Sequence, residues 1–164
     1  MPNSLPLADN FFQVAYVVSD LKAAIGFFKE KLGVASFLVK EDVKIQDQIY
    51  LGKPGDYRQS IAFGFAGQVQ IELIEPLSGT SSYSEYLRQN PKGGLQHFGI
   101  LVEDYDASVA DMKARGFELV QSGRNGDTKF AYFDTDGLIG TLTELVYLAP
   151  AERAGFERMK RKET

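Results

Sequence analysis

The apolar positions of the chain repeat themselves. Residues 13–29 (QVAYVVSDLKAAIGFFK) align without gaps on residues 97–113 (HFGILVEDYDASVADMK), each copy being an apolar run, an Asp and a stripe at helical spacing. In the first copy Asp20 is placed to cap a helix that carries Leu21, Ala24, Ile25, Phe28 and Leu32 and stops at Gly33. In the second, Asp104 precedes Tyr105, Val109 and Met112, with Gly116 as the stop. Extended runs follow at 36–39 and 117–121, and runs at 61–65, 69–74, 129–133 and 140–147 read as strands. The pattern predicts two βαβββ modules. Their openings are offset by 84 residues, whereas Glu72-Leu73 and Glu144-Leu145, in equivalent last strands, are offset by 72, so the first module holds an excursion of 12 residues. It falls between 40 and 60, where Gly52, Pro54 and Gly55 break the pattern.

The chain divides accordingly into an N-terminal arm (1–10), a first module (11–76), a linker (77–95), a second module (96–148) and a charged tail (149–164). The linker is expected to hold a short helix over 83–89 and a flexible connection at 90–94. The tail, basic on balance, predicts a solvated helix, with contact to an anionic substrate as the alternative. A single module of about 60 residues is marginal alone, so the two are expected to share a sheet or a core.

Alternation along the strands assigns faces. Val14, Tyr16 and Val18 share the face a helix can cover, and Gln13, Ala15 and Val17 share the other. In the repeat Phe98, Ile100 and Val102 point one way, and His97, Gly99 and Leu101 the other. Glu72 lies with Gln70 and Ile74, and Glu144 with Leu142 and Val146. Gln13, Glu72, His97 and Glu144 thus hold equivalent positions in two related halves, and a pseudo-twofold axis would bring them together. A carboxylate on an apolar sheet face costs several kcal/mol unless it is paired, protonated or metal-bound, and two ask for a cation. The bland alternative is that each sits at a wet strand end.

Composition narrows the chemistry. Among 164 residues, 18 basic and 22 acidic side chains give a net charge of −4, with no basic footprint for nucleic acid or an anionic membrane. Zero cysteines exclude disulfides, thiolate metal sites and cysteine nucleophiles. One histidine excludes any site that needs two from one chain. The opening residues show no basic, apolar leader and no run is long enough to span a bilayer, so a cytoplasmic protein is expected.

The openings QVAYVVSDLKAAIGFFKEKLG and GLQHFGILVEDYDASVADMKARGF, on repeated βαβββ modules, resemble the vicinal oxygen chelate superfamily of glyoxalases, epimerases, dioxygenases and antibiotic-resistance proteins. The joint IELIEPLSGTSSYSEYLRQNPKGGLQHFGILVED is similar to the methylmalonyl-CoA epimerase branch. The resemblance covers about 11–148. It implies an α+β fold in which two βαβββ modules form a curved, partly open mixed sheet, and a metal held by Gln13, Glu72, His97 and Glu144. The epimerases usually carry His at the first position, so Gln13 is a departure; the set is instead similar to that of some glyoxalase I enzymes. The superfamily's dioxygenases need two histidines and a glutamate, which this chain cannot supply.

One imidazole nitrogen with three oxygens suits one divalent ion such as Zn²⁺, Ni²⁺, Co²⁺, Mn²⁺ or Mg²⁺. The expected activity is a metal-dependent lyase, isomerase or epimerase that takes a proton from the carbon beside a carbonyl, on a small carbonyl or thioester substrate. Glu144, in the more apolar strand, is expected to be the principal base and Glu72 its partner, in wetter surroundings. The rival is a module that sequesters an aromatic or apolar molecule in a cup of Phe11, Phe63, Phe65, Phe130, Tyr132 and Phe133. Arg58, Arg88, Arg124 and Lys129 are candidate anchors for an anionic substrate tail. Exposed sheet edges and cup faces predict a homodimer.

Overall fold

In the computed structural model, which describes residues 7–162, a 3-10 turn (Leu7–Asn10) leads into β1 (Phe11–Val17) and α1 (Leu21–Glu30). Next come β2 (Phe37–Lys44), β3 (Gln46–Tyr50), β4 (Lys53–Pro54), β5 (Arg58–Ala66), β6 (Val69–Ser78) and α2 (Ser82–Gln89). The second half runs β7 (Gly94–Leu101), α3 (Tyr105–Ala114), β8 (Leu119–Asn125), β9 (Thr128–Phe133), α4 (Asp136–Ile139), β10 (Leu142–Tyr147) and α5 (Pro150–Lys160). Both expected Asp caps form. Asp20 and Asp104 stand in extended backbone and accept hydrogen bonds from the Ala23 and Ala107 N–H groups, each worth about 1 kcal/mol to its helix.

All ten strands join one mixed sheet in the order β2-β5-β6-β1-β7-β10-β9-β8-β3-β4. The halves meet where β1 pairs antiparallel with β7, so the modules combine within a single chain. The predicted helical stripes then cover the outer face. Leu21, Ala24, Ile25 and Phe28 pack on Val14, Tyr16, Ile71 and Leu73. Tyr105, Val109 and Met112 pack on Ile100, Val102, Ala131 and Leu145. A larger core, with Val17, Phe63, Tyr83, Phe130, Tyr132 and Val146, fills the inner, concave side.

The excursion of the first module explains how far the sheet curls. Its residues lengthen β2 and add the β3–β4 hairpin, and β3 pairs with β8 of the other half. Between β2 and β3, which lie toward opposite ends of the strand order, the chain has a single residue, Ile45, and it is buried. One extended segment therefore ties the two flanks of the sheet together. Asp42 (φ 48°) and Asp47 (φ 53°) provide its bends, in the left-handed region that Asp tolerates better than most residues.

Elsewhere the structure departs from the pattern in detail. Residues 90–94 form a defined turn, with the Gly93 N–H bonded to the Asn90 carbonyl. Gly93 has φ 72°, and a Cβ there would stand 2.4 Å from the Val17 carbonyl oxygen, so only glycine lets this turn lie against β1. The last strand begins at Leu142, because 136–139 coil into one helical turn that Gly140 ends at φ 73°. The charged tail is a docked helix: Phe156 of α5 is buried against Phe63 and Phe65. Among the described residues no helix is long and apolar enough to cross a membrane.

Candidate metal centre

β6, β1, β7 and β10 lie side by side, and their register sets the four expected residues in two adjacent rows. Glu72, Ala15, His97 and Leu142 pair across one row, and Gln70, Gln13, Gly99 and Glu144 across the next. The repeat-equivalent small residues Ala15 and Gly99 leave room between the long side chains. His97 Nε2 lies 3.1 Å from Glu72 Oε2 and 3.2 Å from Glu144 Oε2, and ligand atoms of the three residues fall within 4.8 Å of one another.

Gln13 stands in the adjoining row, beside Gly99. Its Nε2 donates to Gln70 Oε1 at 2.8 Å, while its own Oε1, though buried, has no hydrogen-bond partner. The side chain lies over the Gly99 backbone so closely that a Cβ on residue 99 would stand 2.5 Å from that oxygen.

His97 is fully buried, and its other nitrogen, Nδ1, lies 2.6 Å from Gln96 Oε1. An Nδ1–H donated there aims Nε2 at the carboxylates. Burial works to lower the imidazole pKa, but Glu144 and Glu72 outweigh it and hold it up at about 9. Burial pushes the Glu144 carboxyl up to about 7 against the pull of His97. Without a metal ion, the proton on Nε2 thus supplies the positive charge the two carboxylates require. The carboxylates themselves are buried alike, 6% exposed for Glu72 and 5% for Glu144, so the expected wetter setting of Glu72 is not found. What separates them is that Glu144 Oε2 has no hydrogen-bond partner of good geometry, whereas Glu72 Oε2 pairs with His97.

These donors fit a divalent ion. An octahedral ion bonded at about 2.1 Å sets neighbouring ligand atoms about 3.0 Å apart, close to both His97–carboxylate separations. The orphaned Gln13 Oε1, and a Glu144 Oε2 held only by the 3.2 Å contact with His97, are the kind of atoms a metal satisfies.

A cavity of about 70 Å³ fronts the group, walled by Gln59, Gln70, Phe63, Phe130 and Tyr132 and closed by Phe156 of α5. Tyr132 packs at a tilt against the His97 ring, 4.6 Å between centroids, and its hydroxyl lies 2.7 Å from that of Tyr83. Burial raises both phenols well above their ordinary range, so they stay neutral. Of the expected aromatic cup, Phe63, Phe130 and Tyr132 line the cavity, Phe65 touches Phe156, Phe133 packs in the outer core and Phe11 is exposed.

The candidate anchors are elsewhere and engaged. Arg58 pairs with Asp42, Arg88 with Glu85 and Arg124 with Asp47, and Lys129 stands over the Tyr105 ring. The basic residue that does line the cavity is Lys40, held by Glu152 of α5 at 2.7 Å. Sequence reasoning also missed Gln96, whose adjacency to His97 carries no signal, and Gln59. Gln70 was legible as a polar residue on the inward face of Glu72.

A family model described as the glyoxalase/bleomycin resistance protein/dioxygenase superfamily matches residues 12–132. The chain is 30% identical over 102 residues to the mitochondrial methylmalonyl-CoA epimerase of Homo sapiens, covering 62% of this chain and 51% of that protein. It is 31% identical over 110 residues to the ethylmalonyl-CoA/methylmalonyl-CoA epimerase of Cereibacter sphaeroides, covering 67% and 73%. The chain spans about half the length of the mammalian relatives it matches. In fold it is similar to the crystal structure of methylmalonyl-CoA epimerase from Mycobacterium tuberculosis, with a TM-score of 0.65, 23% identity, and coverage of 92% and 95%.

Proposed function

The chain belongs to the glyoxalase/bleomycin resistance protein/dioxygenase superfamily, and on that premise we propose that it is a metal-dependent epimerase acting beside the carbonyl of a malonyl-type CoA thioester. The observation that carries the reading is the approach of two buried carboxylates to one imidazole nitrogen, at 3.1 and 3.2 Å. A pocket that only sequesters an apolar molecule has no use for three buried ionisable groups, which cost stability unless they are paired.

Gln13, Glu72, His97 and Glu144 would hold the ion, with Gln96 fixing the His97 ring. A divalent ion bound there supplies a Lewis acid for the charge that develops on a carbonyl oxygen when the neighbouring carbon loses its proton. Glu144 accepts that proton: its Oε2 has only the His97 contact at 3.2 Å, and burial raises its affinity for a proton. Glu72, from the other half, returns a proton, which inverts the carbon when it arrives on the opposite face. The amide nitrogens of Gln59 and Gln70, both buried on the cavity wall and without acceptors, would hold the second carboxylate of a malonyl group once their side chains turn toward it.

The cavity admits little more than the acyl head. At about 70 Å³ it is small beside the ~300–1,000 Å³ of typical small-molecule sites. The pantetheine arm must leave past α5, and displacing that helix would free Lys40 from Glu152 at the mouth. Deuterium uptake at the carbon between the two carbonyls, followed by mass spectrometry in heavy water with methylmalonyl-CoA, tests the reading. Uptake that requires Glu144 supports it. Uptake confined to a glutathione hemithioacetal of a 2-oxoaldehyde would move the protein to the glyoxalase reaction instead.

A further inference from the structure

The helix that closes the cavity also puts a carboxylate into its mouth. Glu152 stands in the first turn of α5, where Lys40 Nζ of β2 donates to its Oε1 at 2.7 Å and Thr128 Oγ1 of β9 donates to its Oε2 at 2.6 Å. All three residues line the cavity with Glu72 and Glu144. β2 and β9 lie far apart in the strand order, so the two donors reach the carboxylate from opposite sides of the curled sheet, one to each oxygen. Thr128 Oγ1 accepts the Ala149 N–H at 2.9 Å, which leaves its own proton for the carboxylate. Hydrogen bonds to an ionised group are the strong ones.

The helix that carries Glu152 is lightly held. Within α5 one side chain, Phe156, is buried, and Met159 packs beside it partly buried. A second cavity, of about 140 Å³, shares Phe12, Gln70, Leu148 and Phe156 with the first, so Phe156 stands between two voids. A ring flanked by voids forgoes contacts that a packed core would give it, and a segment with few buried apolar contacts opens locally. The pivot is at Ala149, in extended backbone (φ −55°, ψ 145°) before Pro150, with its N–H on Thr128. Lifting α5 about this point joins the two voids and leaves Lys40 and Thr128 aimed at the place the carboxylate held.

We propose that Lys40 and Thr128 form a subsite for a carboxylate of the substrate, and that Glu152 is an internal stand-in which the substrate displaces. The subsite is read from the contacts of α5; the identity of its occupant, the free carboxylate of a malonyl group, rests on the epimerase reading. Gln59 and Gln70 are neutral and would grip any polar acyl head, whereas Lys40 supplies the charge that selects an anionic one. A carboxylate has oxygens enough for both sets of donors.

Titration of the full chain with malonate, after metal has been stripped and the chelator removed, tests this, with malonamide as the neutral isostere. Amide NMR should show saturable shifts near residues 40 and 128 and over 150–160 with malonate, hydrogen-exchange protection over 150–160 should fall, and malonamide should do neither. Glu152→Gln keeps the size of the stand-in but not its charge, and should tighten malonate by about 2- to 5-fold, the scale of a part-exposed ion pair. Lys40→Met should weaken malonate by about 10-fold or more, and Lys40→Arg should restore most of the loss. With Lys40→Met in place, Glu152→Gln should change malonate affinity by less than about 2-fold. An equal response to malonamide, malonate binding indifferent to Lys40→Met, or no tightening in Glu152→Gln overturns the subsite. Heavy-water exchange separates it from the epimerase reading. Uptake from methylmalonyl-CoA with an unchanged KM in Lys40→Met keeps that reading and overturns the subsite, whereas displacement of Glu152 by malonate without any such uptake keeps the subsite and overturns that reading.

Discussion

Replacing Gly99 by Ala perturbs Gln13 without replacing any candidate ligand. The added Cβ would stand 2.5 Å from Gln13 Oε1, 2.8 Å from Gln13 Cβ and 3.1 Å from Gln13 Cδ. The amide can rotate away from the first of these, but Gln13 Cβ is fixed by β1, so the strands must also part by about half an ångström to restore ordinary contact. Such overpacking costs about 1–3 kcal/mol, and alanine's lower unfolded-chain entropy returns about 0.5–1 kcal/mol. The net loss of stability should therefore lie at about 0–2.5 kcal/mol, measured by urea unfolding in chelator. Metal affinity, measured by calorimetry with Mn²⁺ and Zn²⁺, should fall by roughly 10–100-fold, the usual scale when a group that positions a ligand is removed. Ala15→Gly, at the repeat-equivalent position, is the control and should retain metal. If Gly99→Ala binds metal as the parent does, Gln13 is not a ligand. If both variants lose metal equally, the effect is general loosening of the sheet.

Glu144→Gln keeps an oxygen for the ion but removes the base, so it should retain metal by elemental analysis and lose roughly 10²-fold or more in turnover; near-normal turnover there, with none in Glu72→Gln, would reverse the two roles. Gln96→Leu removes the acceptor for His97 Nδ1 and should weaken metal binding by about 10–100-fold in calorimetry, with circular dichroism unchanged. Phe156→Ala would cost about 3–5 kcal/mol if α5 stayed docked; because a terminal helix can release instead, the expected result is loss of hydrogen-exchange protection confined to 150–160, a smaller global loss and a lower KM. Metal added at 100 times its Kd should raise unfolding stability by about 2.7 kcal/mol in parent protein and by nothing measurable in His97→Ala.

Much of the fold is legible in the chain because it rests on local, repeated signals. The Asp20 and Asp104 caps, the two apolar stripes and the strand alternation each follow from residues a few positions apart, and each appears where expected except at Leu32, which lies past the end of α1 and is exposed. The repeat then brings Glu72, His97 and Glu144 together, with Gln13 in the adjoining row, since equivalent positions in two paired halves converge. What was not legible depends on contacts distant in sequence. The chain at 40–60 is a broken apolar pattern, and nothing local says that β3 pairs with β8. Phe156 is one aromatic residue among charges, and its burial needs the concave surface that Phe63 and Phe65 create some 90 residues earlier. The expected difference in wetness between Glu72 and Glu144 failed for the same reason: Glu75 and Pro76 lie beyond the site along β6, and the inner core rather than the neighbouring sequence sets the burial of both carboxylates.

The most direct test of the account joins its two halves, the ion and the proton. Chelator-stripped protein is titrated with a divalent ion in heavy water, and bound ion and deuterium uptake by the proposed substrate are read from the same samples. Uptake should rise in proportion to bound ion, saturate at one per chain, and vanish in His97→Ala. Uptake at full rate in stripped protein, or ion binding that is unchanged in His97→Ala, would contradict it.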